Sequence, residues 1–549
     1  MNPILVNLSR GALGMSFLIL VCYVLSNNRR AINWKLVGMG LFAQVMFAMG
    51  VLHTTVFGQP VFWLLFGAIL AYTIFNKFNR VRNKVEGNHI AYDTTNLLLV
   101  LIWQVILVVG LILAPSLFGK WSSLSIFLSC IALLILIFRI GKKYGELMKW
   151  SILLSCVILT AAVYTQVCDP QIFKIILQSV SNVFVSLINI SHKGTEFMFG
   201  NLADANQSWA YVFAIQVLPN IIFFAALSSI LYYLGVLQVV VYVFAYLLNK
   251  LKISGAESLS TAANIFLGQT EAPLMIRPYL DKMTRSEILC IMVGGMANTA
   301  GSVLAAYVGF LGGTDIDQQH YFALHMLSQS IMSAPAAIVC SKILFPQTDE
   351  HMVSKDLTVP KEKLGDNFLD ALSLGTTDGL KLAVNVGAML IVFTALMYVV
   401  NGLMGWVGGI THLNEEIAVS TGGRYQELSL QMILGYIFSP VAWLIGVPSA
   451  DMVPIGQLLG EKTILNEFVA YISLGQMKAG NVIQDPKSLL IATYALCGFA
   501  NFASIGIQIG GISQLAPNQR KNLTELGVKA LIGGTIACLM CGCIAGALM

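Results

Sequence analysis

Apolar runs close to twenty residues long recur along almost the whole chain of 549 residues. An α-helix of about that length crosses the hydrocarbon core of a bilayer. Only 11% of the residues are charged, against about 25% in soluble domains. The sequence therefore predicts an all-α polytopic membrane protein built as one large membrane domain. Its first six predicted spans cover residues 10–26, 36–53, 58–75, 97–118, 122–140 and 149–167.

Basic residues indicate the orientation of these spans. They cluster after the first, third and fifth spans, so all three clusters face one side of the membrane. The positive-inside rule makes that side cytoplasmic and places the N-terminus outside. We interpret Leu13–Ser26 as a retained span and not a signal peptide, because asparagines and arginines at 27–30 follow it. The formal net charge of +5 fits this clustering, and we predict no nucleic-acid partner.

A polar linker divides the rest of the chain into two halves. We assign residues 1–56 to the first two spans, 57–170 to about four additional spans, 171–208 to an amphipathic interfacial helix, 209–346 to the first half of a core, 347–379 to the polar linker and a surface helix, and 380–549 to the second half of the core. Further spans are predicted at 210–230, 234–249, 287–310, 322–345, 380–402, 463–475, 487–511 and 526–548.

One segment in each half is predicted to be a helix interrupted by proline. The first covers residues 258–282 and the second covers 428–449. Proline cannot donate the helical hydrogen bond, and a broken helix is tolerated at membrane depth where protein or water satisfies its backbone. Each half also carries a glutamate at membrane depth, Glu271 or Glu467, and a later span in which asparagine and serine lie close together. Matching broken segments in two halves indicate the binding site of a transporter.

Glu271 and Glu467 are the strongest candidates for function. A carboxylate at the centre of a bilayer costs about 2.5–3.5 kcal/mol even on the lenient insertion scale. An ion pair, or a carboxylate at a helix terminus, is the structural alternative for each. Their sequence neighbours are uncharged hydrogen-bonding groups, namely Gln269, Thr270 and Asn466. Carboxylates grouped with amides and hydroxyls suit a neutral, hydroxyl-rich ligand.

Further polar residues lie in the predicted spans. Asn501 and Ser504 are three residues apart, so they share a helix face, and Phe499 precedes them in a glycine-rich stretch. These glycines are consistent with either close packing or local unwinding. Three residues offer oxygens to a hard cation such as sodium: Asn264, Asn298 and Thr299.

Several catalytic and energy-coupling motifs are missing from the sequence. The seven histidines form no His-Glu-x-x-His pattern, and we find no phosphate-binding P-loop and no Gly-x-Ser-x-Gly motif. Cys538, Cys541 and Cys543 have metal-like spacing, but they lie in the last apolar span, and we interpret them as packing residues. The chain thus gives no support for transport driven by its own ATP hydrolysis, and we predict that it is not an enzyme.

Four motifs in order along the chain resemble the concentrative nucleoside transporters. They read Gly-Gln-Thr-Glu-Ala-Pro-Leu, Ala-Gly-Ser-Val-Leu, Leu-Asn-Glu-Phe-Val-Ala-Tyr, and Tyr-Ala-Leu-Cys-Gly-Phe-Ala-Asn-Phe-Ala-Ser-Ile-Gly-Ile-Gln-Ile-Gly-Gly. The resemblance extends from about residue 172 to 548 and to the first two spans. It implies an inverted-repeat transporter with two re-entrant helical hairpins, in which a transport domain moves against a scaffold as an elevator. It also implies sodium-driven import of nucleosides such as uridine by a homotrimer in the plasma membrane, which is the inner membrane in a bacterium.

The resemblance also implies roles for individual residues. Those that would contact the nucleobase are Gln269, Thr270, Glu271 and Val303. Those that would hold the ribose hydroxyls are Glu467, Asn501 and Ser504, and Phe499 would line the same pocket. The sodium site would comprise Asn264, the carbonyl of Leu267, Asn298 and the carbonyl of Thr299. This chain departs from the family pattern at Asn298 and Thr299, where a hydroxyl residue and isoleucine are frequent, and it has an extra stretch at about 75–170.

Alternative functions stay open at this point. The nearest is a proton-coupled nucleoside symporter in which Glu271 or another acid carries the proton. A more distant one is an intramembrane enzyme that uses the two carboxylates as acid and base on a nucleoside-like substrate. A passive channel is disfavoured, because broken helices are expected to enclose a compact site. The sequence does not rank purines against pyrimidines, since Gln, Thr and Glu hydrogen-bond to either base edge.

Overall fold

The computed structural model describes residues 3–52, 172–204, 212–313, 315–348 and 365–548. Contacts within the chain define one unit from Met1–Ala48 together with Leu177–Met549, and another from Met49–Ile176. Almost all of the second unit lies outside the described residues. The four additional spans predicted within 57–170 therefore lie outside them as well.

Every regular element within the described ranges is helical, which confirms the predicted all-α class. Seventeen α-helices there have eight residues or more. They are α1 (Pro3–Val24), α2 (Trp34–Leu52), α3 (Ile172–Phe199), α4 (Leu218–Tyr233), α5 (Val236–Leu248), α6 (Gly255–Ala263), α7 (Arg285–Ala297), α8 (Gly301–Gly312), α9 (Ile316–Leu344), α10 (Phe368–Ile410), α11 (Leu413–Ser420), α12 (Leu430–Leu444), α13 (Met452–Ile464), α14 (Glu467–Ala479), α15 (Pro486–Leu496), α16 (Phe502–Leu515) and α17 (Arg520–Leu548).

Six helical segments of the described ranges are long and apolar enough to cross a membrane. They are Val6–Val24, Phe213–Tyr233, Arg285–Gly312, Ile316–Leu344, Phe368–Ile410 and Pro517–Leu548. The segments Arg285–Gly312 and Ile316–Leu344 are almost wholly buried by other helices, whereas much of α10 is exposed. The protein is thus a multi-pass helical membrane protein with buried central helices and a long peripheral one.

The first proline-bearing segment folds back on itself. Helix α6 starts at a capping box, in which the Ser254 hydroxyl accepts from the backbone N–H of Glu257 and the Glu257 carboxylate accepts from that of Ser254. The helix ends at Ala263, and the chain returns through two short helical turns at Ala272–Ile276 and Arg277–Leu280. Non-helical residues 264–271, named here the first-hairpin loop, connect the two arms.

Helices α12 and α13 pack together as a helical hairpin, named here the second hairpin, which extends beyond the predicted 428–449. The prediction ended too early because Pro440 lies inside α12 without terminating it. The chain turns between Leu444 and Met452, where the Asp451 carboxylate accepts from two backbone N–H groups of the loop before α15 at 3.0 Å. The two arms touch closely at Gly456, where a Cβ atom would come within 2.7 Å of the Ser439 nitrogen.

Two predicted spans are each broken into two helices. The span predicted at 287–310 consists of α7 and α8, with Asn298 and Ala300 in extended conformations between them. The span predicted at 487–511 consists of α15 and α16, separated by residues 497–501. Asn501 caps α16 by accepting from the Ser504 backbone N–H at 2.9 Å. Helix ends therefore lie in the middle of both apolar runs.

Helix α10 joins two elements that were predicted to be separate, a surface helix before residue 380 and a span at 380–402. Asn367 caps its start, and its 43 residues contain no proline. Gly375 and Gly379 allow it to lie directly on α4: a Cβ at Gly375 would come within 2.9 Å of the Ala226 Cα, and one at Gly379 within 2.8 Å of the Ile222 Cα. One uninterrupted helix is the result.

An ion pair lies in the core between α6 and α9. The Lys342 ammonium contacts the Glu257 carboxylate, and both side chains are almost completely buried. Lys342 also donates to the Ser286 hydroxyl at 3.0 Å. Glu257 thus holds the start of α6 and neutralises the lysine, which ties α6, α7 and α9 together.

Candidate functional site

The two helix breaks lie side by side. The first break comprises residues 298–300, between α7 and α8, and the second break comprises residues 497–501, between α15 and α16. The Thr299 hydroxyl is 3.2 Å from the Cys497 sulfur. Gly498 has a φ of +123°, a conformation that favours glycine. A Cβ atom there would come within 2.7 Å of the Ala297 carbonyl oxygen. Only glycine therefore allows this approach of the two halves.

Two buried side chains, Gln329 and Cys538, contact both breaks, and the Cys538 thiol donates to the Cys497 carbonyl at 3.0 Å. The Gln329 amide on α9 donates to the Ala297 carbonyl at 3.3 Å and to the Cys497 carbonyl at 3.0 Å. These carbonyls lie where α7 and α15 end, so they lack the partners that a continuous helix would provide. Sequence reasoning missed Gln329, and an amide within a long apolar helix was the signal available.

The first-hairpin loop lies against both breaks. The Gly301 N–H donates to the Phe266 carbonyl at 3.1 Å. The Gln269 amide donates to the Ser504 hydroxyl at 3.2 Å. Thr270 lies on Gly511 of α16, where a Cβ would come within 2.8 Å of its methyl group. The loop thus connects residues that are more than 200 positions apart in the sequence.

Glu271 completes the first-hairpin loop. Its carboxylate accepts from the Gly268 N–H at 3.2 Å. The side chain is exposed, although the residues on both sides of it are partly or fully covered. No ion pair to Glu271 occurs within the described ranges. Its carboxylate is therefore available to a ligand.

Glu467 lies at the first turn of α14 and accepts two hydrogen bonds from other helices. Tyr307 donates to its Oε1 at 3.1 Å, and the Asn501 amide donates to its Oε2 at 2.7 Å. Glu467, Asn501 and Ser504 are all buried. Hydrogen bonds thus run from Glu467 through Asn501 to Ser504, and from Ser504 to Gln269. Tyr307 is a second residue that sequence reasoning missed.

Two apolar side chains complete the list of predicted substrate contacts. Val303 is one turn before Tyr307 on α8 and is buried. Phe499 is buried within the second break, next to Gly498. Both belong to the broken regions that carry the polar residues, so apolar and hydrogen-bonding groups occur together. That combination is typical of small-molecule sites.

Two of the predicted sodium residues, Asn264 and Asn298, adjoin Gly294. The Asn298 amide donates to the Gly294 carbonyl at 3.1 Å, while its oxygen accepts from Ser333. The Asn264 amide lies against Gly294 from the other side, where a Cβ atom would come within 3.4 Å of the amide nitrogen. Asn264 is 1% exposed, and neither of its side-chain polar atoms has a hydrogen-bond partner within the described ranges. Thr261, whose hydroxyl is also buried without a partner there, adjoins the same glycine.

These residues fit a sodium ion. Hard cations prefer oxygen ligands, and Asn264 offers a buried, unused amide oxygen. Leu267 lies in the non-helical loop, and Thr299 lies in the first break, so the carbonyls of both are outside continuous helix. Asn298 retains one lone pair on its amide oxygen for a cation beside the bond from Ser333.

Broken membrane helices that converge on a buried carboxylate and several amides are typical of a helical secondary transporter. Comparison with family models gives the family. Residues 13–74 match the N-terminal region of the Na+ dependent nucleoside transporters, residues 214–314 match a nucleoside recognition (gate) model, and residues 325–546 match the C-terminal region of the same transporters. The chain belongs to this family, the concentrative nucleoside transporters. Its members are transporters and not enzymes, and the protein is a multi-pass plasma-membrane protein.

Individual relatives agree with this assignment. A transporter of Haemophilus influenzae described as uncharacterized is 42% identical over 374 residues, which are 67% of this chain and 84% of the relative. Sodium/nucleoside cotransporter 1 of Rattus norvegicus is 40% identical over 66% of this chain, but the match covers only 54% of the rat protein. The chain thus spans about half the length of this mammalian relative.

Solved structures give the same fold. CNTnw in an inward-facing substrate-bound state has a TM-score of 0.68 at 29% identity, over 99% of this chain and 98% of that one. A CNTnw variant in an outward-facing state has a TM-score of 0.67 at 29% identity, over 98% and 97% of the two chains. The transporter fold predicted from sequence is therefore confirmed.

Replacing Gln329 with leucine is expected to weaken both breaks. Two buried carbonyls would lose their amide donor and keep only the weaker Cys538 thiol, at a cost of up to about 1–3 kcal/mol each. We expect a lower thermal unfolding temperature and a higher sodium concentration for half-maximal uptake. Gln44→Leu is the matched control, because Gln44 is equally buried but donates only to a cysteine sulfur at 3.3 Å. Equal effects of the two variants on the sodium requirement would contradict a specific role for Gln329.

Proposed function

We propose that this protein is a sodium-driven importer of nucleosides such as uridine. The observation that supports it most is the hydrogen-bonded series Glu467, Asn501, Ser504 and Gln269, which joins the second half of the core to the first-hairpin loop. A carboxylate in such a series accepts from two adjacent hydroxyls, as a ribose presents. Asn501 and Ser504 would contact the same sugar, and Phe499 would line its pocket.

The nucleobase would lie against the first-hairpin loop. Gln269 and Thr270 supply an amide and a hydroxyl, and Glu271 supplies an exposed carboxylate. Val303 would pack on the base from α8. The buried oxygen of Gln269, which has no partner within the described ranges, supports a further hydrogen bond to a base edge.

Sodium and nucleoside would be coupled through the first-hairpin loop. Asn264 and Leu267 belong to this loop, while Asn298 and Thr299 belong to the first break. A cation held by all four would fix the loop against the break and so position Gln269 for the base. The buried polar atoms of Asn264, which lack partners within the described ranges, support a site that is completed by a ligand.

Further parts of the proposal rest on the family. We infer a homotrimer, in which the two hairpins and the broken helices move as a transport domain against a scaffold containing α10. The length of α10 and its packing along α4 are consistent with a scaffold role. Crosslinking in native membranes, followed by size analysis, tests the trimer directly.

The transport proposal is tested with the purified protein in proteoliposomes and labelled uridine. We expect uphill accumulation when a sodium gradient points inward, and collapse of uptake when choline replaces sodium. Uptake that does not depend on sodium but is driven by an imposed proton gradient would support the proton-coupled alternative. Recovery of chemically altered uridine would support the enzyme alternative, and equilibration without accumulation would support a channel.

A further inference from the structure

None of the predicted nucleoside residues lines a second polar site. A cavity of about 900 Å³ opens between α10, the second hairpin and α14. Most of its wall is apolar, but eight lining residues carry amide, hydroxyl or carboxyl groups: Thr394, Tyr398, Asn401, Gln431, Gln457, Glu461, Ser473 and Gln476. Glu461 provides the one carboxyl group among the residues that line this cavity.

Glu461 is held by neutral groups. It is 1% exposed, and its Oε1 accepts from the Gln457 amide at 2.9 Å. The Tyr425 hydroxyl in turn donates to the Gln457 oxygen at 3.1 Å. The other carboxylate oxygen, Oε2, is buried and accepts no hydrogen bond of normal geometry within the described ranges, although the Ser473 hydroxyl on α14 lies nearby.

No positive charge compensates this carboxylate in the described part of the chain. Lys462 is adjacent in sequence, but its ammonium donates to the Ala495 carbonyl, which α15 presents on another side of α13. The titratable groups that face the cluster are Tyr425 and, across the cavity, Tyr398 of α10. Helix α12 contributes only the neutral Gln431 to the cavity wall.

A buried carboxylate without a counter-charge is strongly disfavoured, and such a group becomes neutral by taking a proton. A sodium ion would require several oxygen ligands, whereas a proton requires one. The unused Oε2 atom beside an open cavity is suited to that single bond. We propose that Glu461 is a proton-binding site, separate from the predicted sodium residues, at the contact between the second hairpin and α10.

Proton binding at this position has a consequence for movement. Closing the cavity would remove the water that lies beside the buried Glu461 and lower the polarity around it, and a neutral acid tolerates that change better than a carboxylate does. Protonation therefore favours arrangements in which the second hairpin and α10 come together. This step rests on the proposed transport function: we expect sodium-driven uptake to rise as the medium is acidified.

The proton site itself is tested without transport. Infrared difference spectra of the purified protein in lipid are recorded as the pH is raised, with sodium constant and no nucleoside present. We expect a carboxylic-acid C=O band that disappears at high pH in the unmodified protein and in Glu416→Gln, a control at an exposed acid of α11. The band is expected to be absent from Glu461→Gln. A band that is unchanged in Glu461→Gln would overturn the proposal.

A second variant retains the carboxyl group. Gln457→Leu removes a donor that stabilises the ionised form, so the acid band should persist to higher pH, and an unchanged titration would count against the site. In proteoliposomes, Glu461→Gln is expected to lose the increase of uptake on acidification. A changed sodium requirement with intact pH dependence would instead assign Glu461 to sodium. If no variant transports nucleosides, the transport proposal fails, and the infrared titration still decides the site.

Discussion

Replacing Glu467 with glutamine is expected to abolish uridine uptake. The carboxylate accepts from both Tyr307 and Asn501, and in our proposal from the ribose hydroxyls as well. Glutamine retains one acceptor oxygen and places an NH2 group where a donor now points. Hydrogen bonds to charged groups contribute about 1.5–3 kcal/mol each. If the two hydrogen bonds from the ribose hydroxyls to the carboxylate are lost, nucleoside binding is expected to weaken by about 100-fold or more.

Two variants distinguish this effect from general damage. Tyr307→Phe removes one donor but retains the carboxylate, so we expect a partial loss of affinity. Glu415→Gln changes an exposed acid of α11 and should leave uptake unchanged. Binding of labelled uridine to purified protein and uptake by proteoliposomes are both measured. Glu467→Gln protein with undiminished uptake would refute the proposed role of this carboxylate.

The largest effect on stability is expected from Lys342→Met. This change leaves Glu257 buried without its counter-charge, and breaking a buried pair in this way costs about 3–5 kcal/mol. We expect poor recovery of folded protein and a much lower thermal unfolding temperature. The double variant Lys342→Met, Glu257→Gln should recover most of the stability, because glutamine also closes a capping box with Ser254.

The control for this pair is on the surface. Lys381→Met breaks an exposed contact with Asp378, whose charged atoms are 3.5 Å apart. Exposed pairs contribute little to stability, so the unfolding temperature should not change measurably. If the double variant were no more stable than Lys342→Met alone, uncompensated charge would not be the cause of the damage.

Much of the fold could be predicted because bilayer-length apolar runs are a strong signal. The helix breaks could not be located, because they lie inside such runs. The helices can break at Asn298 and near Asn501 because distant side chains hydrogen-bond to the backbone carbonyls that the breaks leave free. The main example is the Gln329 amide, which donates to the carbonyls of Ala297 and Cys497. These hydrogen bonds form only when the helices are assembled, so no local pattern in the sequence indicates them.

Proline was an imperfect guide to the second hairpin. Pro440 remains inside α12, and the real turn lies several residues later, where the chain reverses before Met452. The glutamates were easier to identify, because a carboxylate in an apolar run is unusual wherever the helix ends. The tyrosine partner of Glu467 was not predictable, because Tyr307 reaches it from a helix 160 residues earlier in the chain.

The single amide group of Gln329 hydrogen-bonds to the C-terminal ends of both α7 and α15. Neither helix end can shift relative to the other without breaking these hydrogen bonds. The contact between the Thr299 hydroxyl and the Cys497 sulfur also links the two ends. The C-terminal ends of α7 and α15 are therefore expected to move as one rigid unit in any conformational change of the transporter. In the proposed transport function, a bound nucleoside would therefore keep its contacts during the conformational change, and only the side of the site that is open to water would change.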